Sequence, residues 1–132
     1  MKKYLLDTNI LIYLMKGKHD IDKKILNVGI EKCFISEISI AELKYGAEKS
    51  AKPDINLGKI KELENTLKVI TIKACIDLYA KEKARLELLG NRLDDFDLLI
   101  GTTAVKNNFI IVTQNVKHFE RIDDIMIEDW TK

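Results

Sequence analysis

The chain has 132 residues, 46% hydrophobic and 33% charged, with a formal net charge of +1. This length is enough to bury one core, so a single domain over residues 1–132 is expected, and the composition excludes a disordered, fibrous or membrane-embedded chain. Two cysteines, Cys33 and Cys75, are too few for a disulfide framework or a metal knuckle, and the near-neutral charge gives no bulk support for a polyanion partner.

Met1-Lys2-Lys3 leads directly into Tyr4–Leu6, a short apolar run that reads as a first buried strand. No long apolar stretch and no small-residue cleavage site precede it, so a cytoplasmic protein without membrane contact is expected. Asn9–Met15 and Ile21–Val28 read as helices, and Cys33–Ser36 as a second strand. Ser39-Ile40-Ala41-Glu42 has the spacing of a capping box, which places a helix start there and carries the helix to about Lys49. Pro53 marks the connection to a helix containing Ile60, Leu63 and Leu67, and Val69–Ile72 is a third strand candidate. Cys75, Leu78, Tyr79, Leu86 and Leu89 recur at helical spacing, and another helix begins at Asp94 or Asp95 and runs to about Asn107. Phe109–Val112 is the clearest strand, and Ile125–Ile127 a short last one. Apolar strands alternating with helices predict an α/β protein, a three-layer α/β/α sandwich on a mainly parallel central sheet.

In such sheets ligands gather beyond the carboxyl ends of the strands. Asp7 directly follows the first strand, and Glu42 and Asp97 fall in the first turns of predicted helices. Asn115 follows Phe109–Val112 by three residues. If the sheet is parallel, all four converge on one edge. Two carboxylates ~5 Å apart repel by about 3 kcal/mol at an effective dielectric of ~20, so a group of acids needs raised pKa values or a bound cation. Hard oxygen donors favour Mg²⁺ or Mn²⁺, and phosphodiester hydrolysis is the reaction class that follows. Each residue also has a plain structural role available. Glu42 fits a capping box, Asp97 complements a helix dipole, and Asn115 suits a turn. Asp7, abutting a buried strand, is the hardest to explain by structure alone.

Leu5-Leu6-Asp7-Thr8-Asn9-Ile10 resembles the opening motif of PIN-domain nucleases. Ser36–Leu43 followed by Tyr45-Gly46-Ala47 resembles their second motif, Asp97-Leu98-Leu99-Ile100-Gly101 the third, and Val112–Val116 with Phe119 the fourth. The order covers essentially the whole chain and is most similar to the VapC toxins of toxin–antitoxin modules. That resemblance implies a single PIN domain, a homodimer, and a divalent-metal-dependent endoribonuclease restrained by a cognate small antitoxin. It implies that Asp7, Glu42 and Asp97 bind metal, directly or through water. Thr8, Asn9, Thr113 and Asn115 would support the site. Asparagine at position 115, where PIN domains often carry aspartate, removes one negative charge and favours a single ion. Ala47-Glu48-Lys49-Ser50 resembles the subgroup that cuts initiator tRNA.

Lys44, Lys49, Arg85, Arg92 and Lys117 are candidate RNA contacts, joined by Lys16 and Lys18, and Asp95 is a second-choice acid beside Asp97. The edges of the Ile10–Met15 and Ile60–Leu67 stripes offer a groove for an amphipathic antitoxin segment. Trp130 is expected to pin the C-terminus, and His118 to sit in a surface turn. Three other readings compete. An aspartate-nucleophile phosphatase needs a second acid at position 9, where Asn9 stands. A dinucleotide-binding domain needs a glycine-rich turn after the first strand, and none is present. A non-cleaving PIN-like module that holds RNA or antitoxin is the main alternative.

Overall fold

A computed structural model describes every residue, Met1–Lys132. Five strands, β1 (Tyr4–Leu6), β2 (Cys33–Ser36), β3 (Lys68–Ile70), β4 (Ile110–Val112) and β5 (Met126–Glu128), form one sheet in the order β3-β2-β1-β4-β5. Every neighbouring pair is parallel. The helices are α1 (Thr8–Lys16), α2 (Ile21–Val28), α3 (Glu37–Glu48), α4 (Pro53–Thr66), α5 (Ile76–Leu88), α6 (Asp95–Lys106) and α7 (Val116–Phe119).

The two-residue period of the strands divides the apolar side chains between two cores. Tyr4 and Leu6 of β1, Cys33 and Ile35 of β2, and Ile110 and Val112 of β4 pack with α1 to α4. Leu5 and Ile111 point the other way, onto α5, α6 and Phe119. Helices on both faces are what a fully parallel sheet requires, and the expected α/β/α sandwich is the observed one. Each fully buried Leu or Ile contributes roughly 1.5–3 kcal/mol before chain entropy is counted.

Three local expectations change. The helix expected to open at Ser39 begins three residues earlier, with Ser36 as its cap accepting from the Ile38 amide at 3.1 Å. Pro53 does not merely mark a connection; it is the first residue of α4, where its missing N–H costs nothing. Cys75 lies in the short 3₁₀ turn Lys73–Cys75 ahead of α5, buried against Thr103. Both cysteines are free and buried. Trp130 packs on the Tyr4 ring with centroids 5.3 Å apart, and its carbonyl accepts from Lys24, so the C-terminus is held as expected.

Two glycines in helices have different reasons to be there. A Cβ on Gly101 would lie 2.3 Å from Ile122 Cδ1 and 3.2 Å from the Phe119 ring, so any other residue there must displace side chains packed on α6. A Cβ on Gly46 in α3 would meet nothing within 4 Å, although glycine costs a helix about 1 kcal/mol against alanine. No helix is long and apolar enough to cross a membrane.

Candidate active site

The chain runs from β1 outward to β2 and β3, then returns to place β4 and β5 on the other side of β1. The exits of β1 and β4 are therefore adjacent while their crossovers diverge, the arrangement that leaves a crevice at the strand ends. Asp7 stands there as the cap of α1, its amide donating to the Val112 carbonyl at 2.9 Å. Its side chain is 3% exposed. Oδ1 accepts from the Thr8 amide and Oδ2 from the Thr113 hydroxyl, each at 2.8 Å. The carboxyl is pushed up to about 6, chiefly by burial; the hydrogen bonds from Thr113 and Thr8 hold the rise back, and the charges of Asp97 and Glu42 add to it. Thr113 is itself set by the Asn115 amide, which donates to its hydroxyl at 3.0 Å.

Glu42 arrives from α3. Because that helix starts at Ser36, Glu42 lies well beyond the first turn, and the capping-box explanation for it fails. Its Oε1 lies 2.7 Å from Thr8 Oγ1, which is also 2.9 Å from Ser39 Oγ. A threonine hydroxyl has one hydrogen, and the charged acceptor takes it, so the buried Ser39 donates to Thr8 in turn. Ser39 thus supports Glu42 from one turn earlier on the same helix face, a role its sequence spacing disguised as a cap. Glu37, in contrast, is committed elsewhere, accepting from the Ile72 amide at 2.6 Å.

Asp97 sits in the first turn of α6, whose cap is Asp94. Burial raises its pKa, as do Asp94 and Glu42, while His118 lowers it. His118 Nδ1 is 3.9 Å from Asp97 Oδ2, so this histidine belongs to the rim of the site rather than to an idle surface turn. The helix α7 that carries it was not legible in the sequence. Asp95 turns away: Lys83 at 2.9 Å and the Tyr79 hydroxyl at 3.0 Å hold its pKa below the usual range. The choice between the two neighbouring acids therefore falls on Asp97.

Three carboxylates from β1, α3 and α6 thus feel one another's charge. The repulsion is met in part by the protein's own donors, Thr8, Thr113 and His118. No three His, Cys, Asp or Glu side chains close into a ready-made cage. Mg²⁺ is bound through hard oxygen donors, keeps several waters and takes only one or two carboxylates. The donor set, all hard oxygen, fits such an ion. Asn9 adds a buried Oδ1 with no partner in the same turn as Thr8. The Asn115 side chain makes no hydrogen bond to the acids; it stands exposed at the lip, and its contribution passes through its amide.

The candidate cations separate clearly. Arg85 is consumed by the fold: it grips buried Glu82 at 2.9 and 2.7 Å, donates to the Arg121 carbonyl at 2.8 Å and pairs with Asp123 at 3.3 Å. It ties α5 to the turn before β5 and is not the free RNA-facing cation expected. Lys44 pairs with Glu64 at 3.3 Å, Arg92 with Glu87 at 3.8 Å, and Lys49 lies 4.8 Å over the Tyr45 ring. Lys16 remains beside Thr8 and Glu42 without an ion pair. Lys18 and Lys117 are exposed and likewise without an ion pair.

The PIN domain family model matches residues 4–125. The chain is 34% identical over 131 residues to the tRNA(fMet)-specific endonuclease VapC of Salmonella typhimurium, covering 98% of this chain and 99% of the relative. It is 36% identical over 134 residues to ribonuclease VapC2 of Rickettsia felis, covering 98% of each. The crystal structure of DNA-bound VapBC from Salmonella typhimurium superposes with a TM-score of 0.89 at 34% identity, covering 98% of this chain and 99% of the other. VapBC-1 from nontypeable Haemophilus influenzae gives 0.87 at 35% identity, with 98% of each covered.

Proposed function

The chain belongs to the PIN domain family, and from that we propose that it is a divalent-metal-dependent endoribonuclease, the toxin of a type II toxin–antitoxin pair, acting on tRNA. The supporting observation is the meeting of Asp7, Glu42 and Asp97, drawn from three separate elements, in one crevice where two of them are pushed above their ordinary pKa. Residues 1–132 act as one PIN domain. The relative named for tRNA(fMet) supports initiator tRNA as the substrate.

Asp7, Glu42 and Asp97 hold Mg²⁺ or Mn²⁺, directly or through water, and neutral Asn115 keeps the charge suited to one ion. When bound, the ion acidifies water and neutralises charge on the phosphoryl group. Thr8 and Thr113 fix the Glu42 and Asp7 carboxylates by hydrogen bonds, so neither has to reorganise as charge develops. Asp97, less deeply buried than Asp7 and with a raised pKa, receives the proton of the attacking water. Lys16 and Lys117 are placed to meet flanking phosphates. Because water is the nucleophile, the products carry a 5′-phosphate and a 3′-hydroxyl. The test is incubation of the protein with total RNA in Mg²⁺ and then in EDTA, with sequencing of the new 5′ ends. Cleavage in Mg²⁺ alone is expected. A 2′,3′-cyclic phosphate product overturns the water mechanism, and RNA bound but never cut establishes the non-cleaving alternative.

The antitoxin seat follows from a groove of about 470 Å³ between α1, α2 and α4, lined by Leu14, Ile25, Leu26, Leu63 and Leu67. Two relatives of known structure are VapBC complexes. An amphipathic antitoxin segment lays its apolar side there, and the toxin assembles as a homodimer. Leu26 is 67% exposed, so Leu26→Glu leaves the fold intact. The expected result is antitoxin affinity weakened by about tenfold or more with cleavage unchanged; undiminished affinity in a calorimetric titration removes this seat.

A further inference from the structure

A cavity of about 430 Å³ between α1, α3 and α4 has Glu42, one of the three site acids, and its partner Thr8 in its wall. Of its lining, the chemistry derived above uses only Thr8, Glu42 and Lys16. Met15 and Ile60 give it apolar walls, Lys16 and Lys59 stand at its rim without ion pairs, and Ser50 and Asn56 supply a polar end. The polar end is ordered by a short relay. The Ser50 hydroxyl donates to the Ala47 carbonyl at 2.6 Å, which leaves its oxygen to accept from Asn56 Nδ2 at 2.8 Å. One amide hydrogen is thereby spent and the orientation of Asn56 is fixed. Its Oδ1 and second hydrogen remain, an acceptor beside a donor. The floor is Gly46, one turn beyond Glu42, where a side chain would project into open space.

We propose that this cavity receives the nucleobase adjoining the scissile phosphate and that Asn56 reads its edge. The proposal rests on the nuclease reading above. An unstacked base is flat and apolar on both faces, and it is polar along one edge. Two apolar walls and an amide presented edgewise match that distribution, as asparagine does when it pairs with a base edge elsewhere. Unpaired lysines at the mouth match the phosphates that must flank such a base. Continuity with Glu42 puts the base next to the bond being cut.

The experiment compares wild type, Gly46→Ala, Gly46→Leu and Asn56→Ala on a pool of short single-stranded RNAs randomised around their centre, in Mg²⁺ or Mn²⁺, with sequencing of the new 5′ ends. Circular dichroism confirms folding, and Gly46→Ala, which suits a helix better than glycine, serves if the leucine variant misfolds. Wild type should favour one base at one position beside the cut. Asn56→Ala should flatten that preference by about fivefold or more, the discrimination expected of a lost two-point base contact, with disfavoured sequences cut at the wild-type rate. Gly46→Leu should raise KM by about tenfold with kcat little changed, the pattern of lost ground-state binding, and Gly46→Ala should do so partially. A wild-type preference that survives in Asn56→Ala, or unaltered KM in both glycine variants, overturns the base pocket while leaving the nuclease intact. Variants that keep the cleavage profile but escape antitoxin inhibition reassign the cavity to a peptide side chain and overturn it equally. Wild type that cuts no RNA with either metal overturns the nuclease reading itself.

Discussion

Asp7→Asn should lower RNA cleavage by about 10²–10³-fold or more, the scale on which single preorganised electrostatic groups act, and at the same time make the protein more stable. The two effects have one cause. Asp7 is 3% exposed, and the fold pushes its carboxyl from 3.8 up to about 6, chiefly by burial. Each tenfold change in a protonation equilibrium is worth about 1.4 kcal/mol, so the ionised form costs the folded state about 3 kcal/mol at neutral pH. Asparagine keeps the shape, still accepts from the Thr8 amide, and meets the rotatable Thr113 hydroxyl with its own N–H. Removing the charge therefore removes the cost, and Tm should rise by several degrees, about 5 °C or more for a domain of this size. Steady-state cleavage assays and thermal melts on the same preparation check both halves. A destabilised Asp7→Asn would show that the buried charge does not cost the folded state what its raised pKa implies, and an active one would show that the residue is not in the chemistry.

Divalent metal should stabilise the wild-type protein strongly at pH 8 and weakly at pH 5. The folded carboxyl titrates near 6 and the unfolded one near 3.8, so between those values the folded state holds the extra proton. Stability then falls as pH rises through that window and levels off above it, the reverse of a salt-bridged aspartate. Above the window the charge is fully present and a cation can relieve it. Below about pH 6 the folded carboxyl already holds a proton, which relieves the charge and competes with the ion. Saturating Mg²⁺ at about a hundred times its Kd adds about 2.7 kcal/mol by mass action. Melting curves with and without Mg²⁺ at the two pH values measure the difference, and Asp7→Asn should abolish most of it. An equal shift at both pH values, or one that persists in Asp7→Asn, would place the ion elsewhere.

Much of the fold is legible in the sequence because strand exits and helix starts are local. Tyr4–Leu6 and Cys33–Ser36 coincide with the observed strands, and Phe109–Val112 and Ile125–Ile127 differ from theirs by a residue. Asp7 and Asp97 stand where expected, one at the exit of β1 and the other in the first turn of α6. Glu42 lies at the expected end of the sheet for a different local reason: Ser36, not Ser39, caps α3, since a serine that ends a strand can accept from the amide two residues on. The short α7 leaves no signal because four residues carry no periodicity, and with it the approach of His118 to Asp97 stays hidden.

The kinds of element, their order and the positions of the acids relative to strand ends can be read along the chain, because each depends on near neighbours in it. The partners of those acids come from long-range packing. The Thr113 hydroxyl reaches Asp7 across 106 positions, and it can do so only because β4 lies beside β1 in the sheet. Glu82 pairs with Arg85 from one turn earlier on the same helix, a spacing along the chain, but the links of Arg85 to Asp123 and to the Arg121 carbonyl, like the burial of Ser39 beneath Thr8, come from the way the elements pack. Hydrogen bonding and desolvation act between groups close in space, so the charge state of Asp7 was fixed by neighbours that its own segment of sequence does not contain.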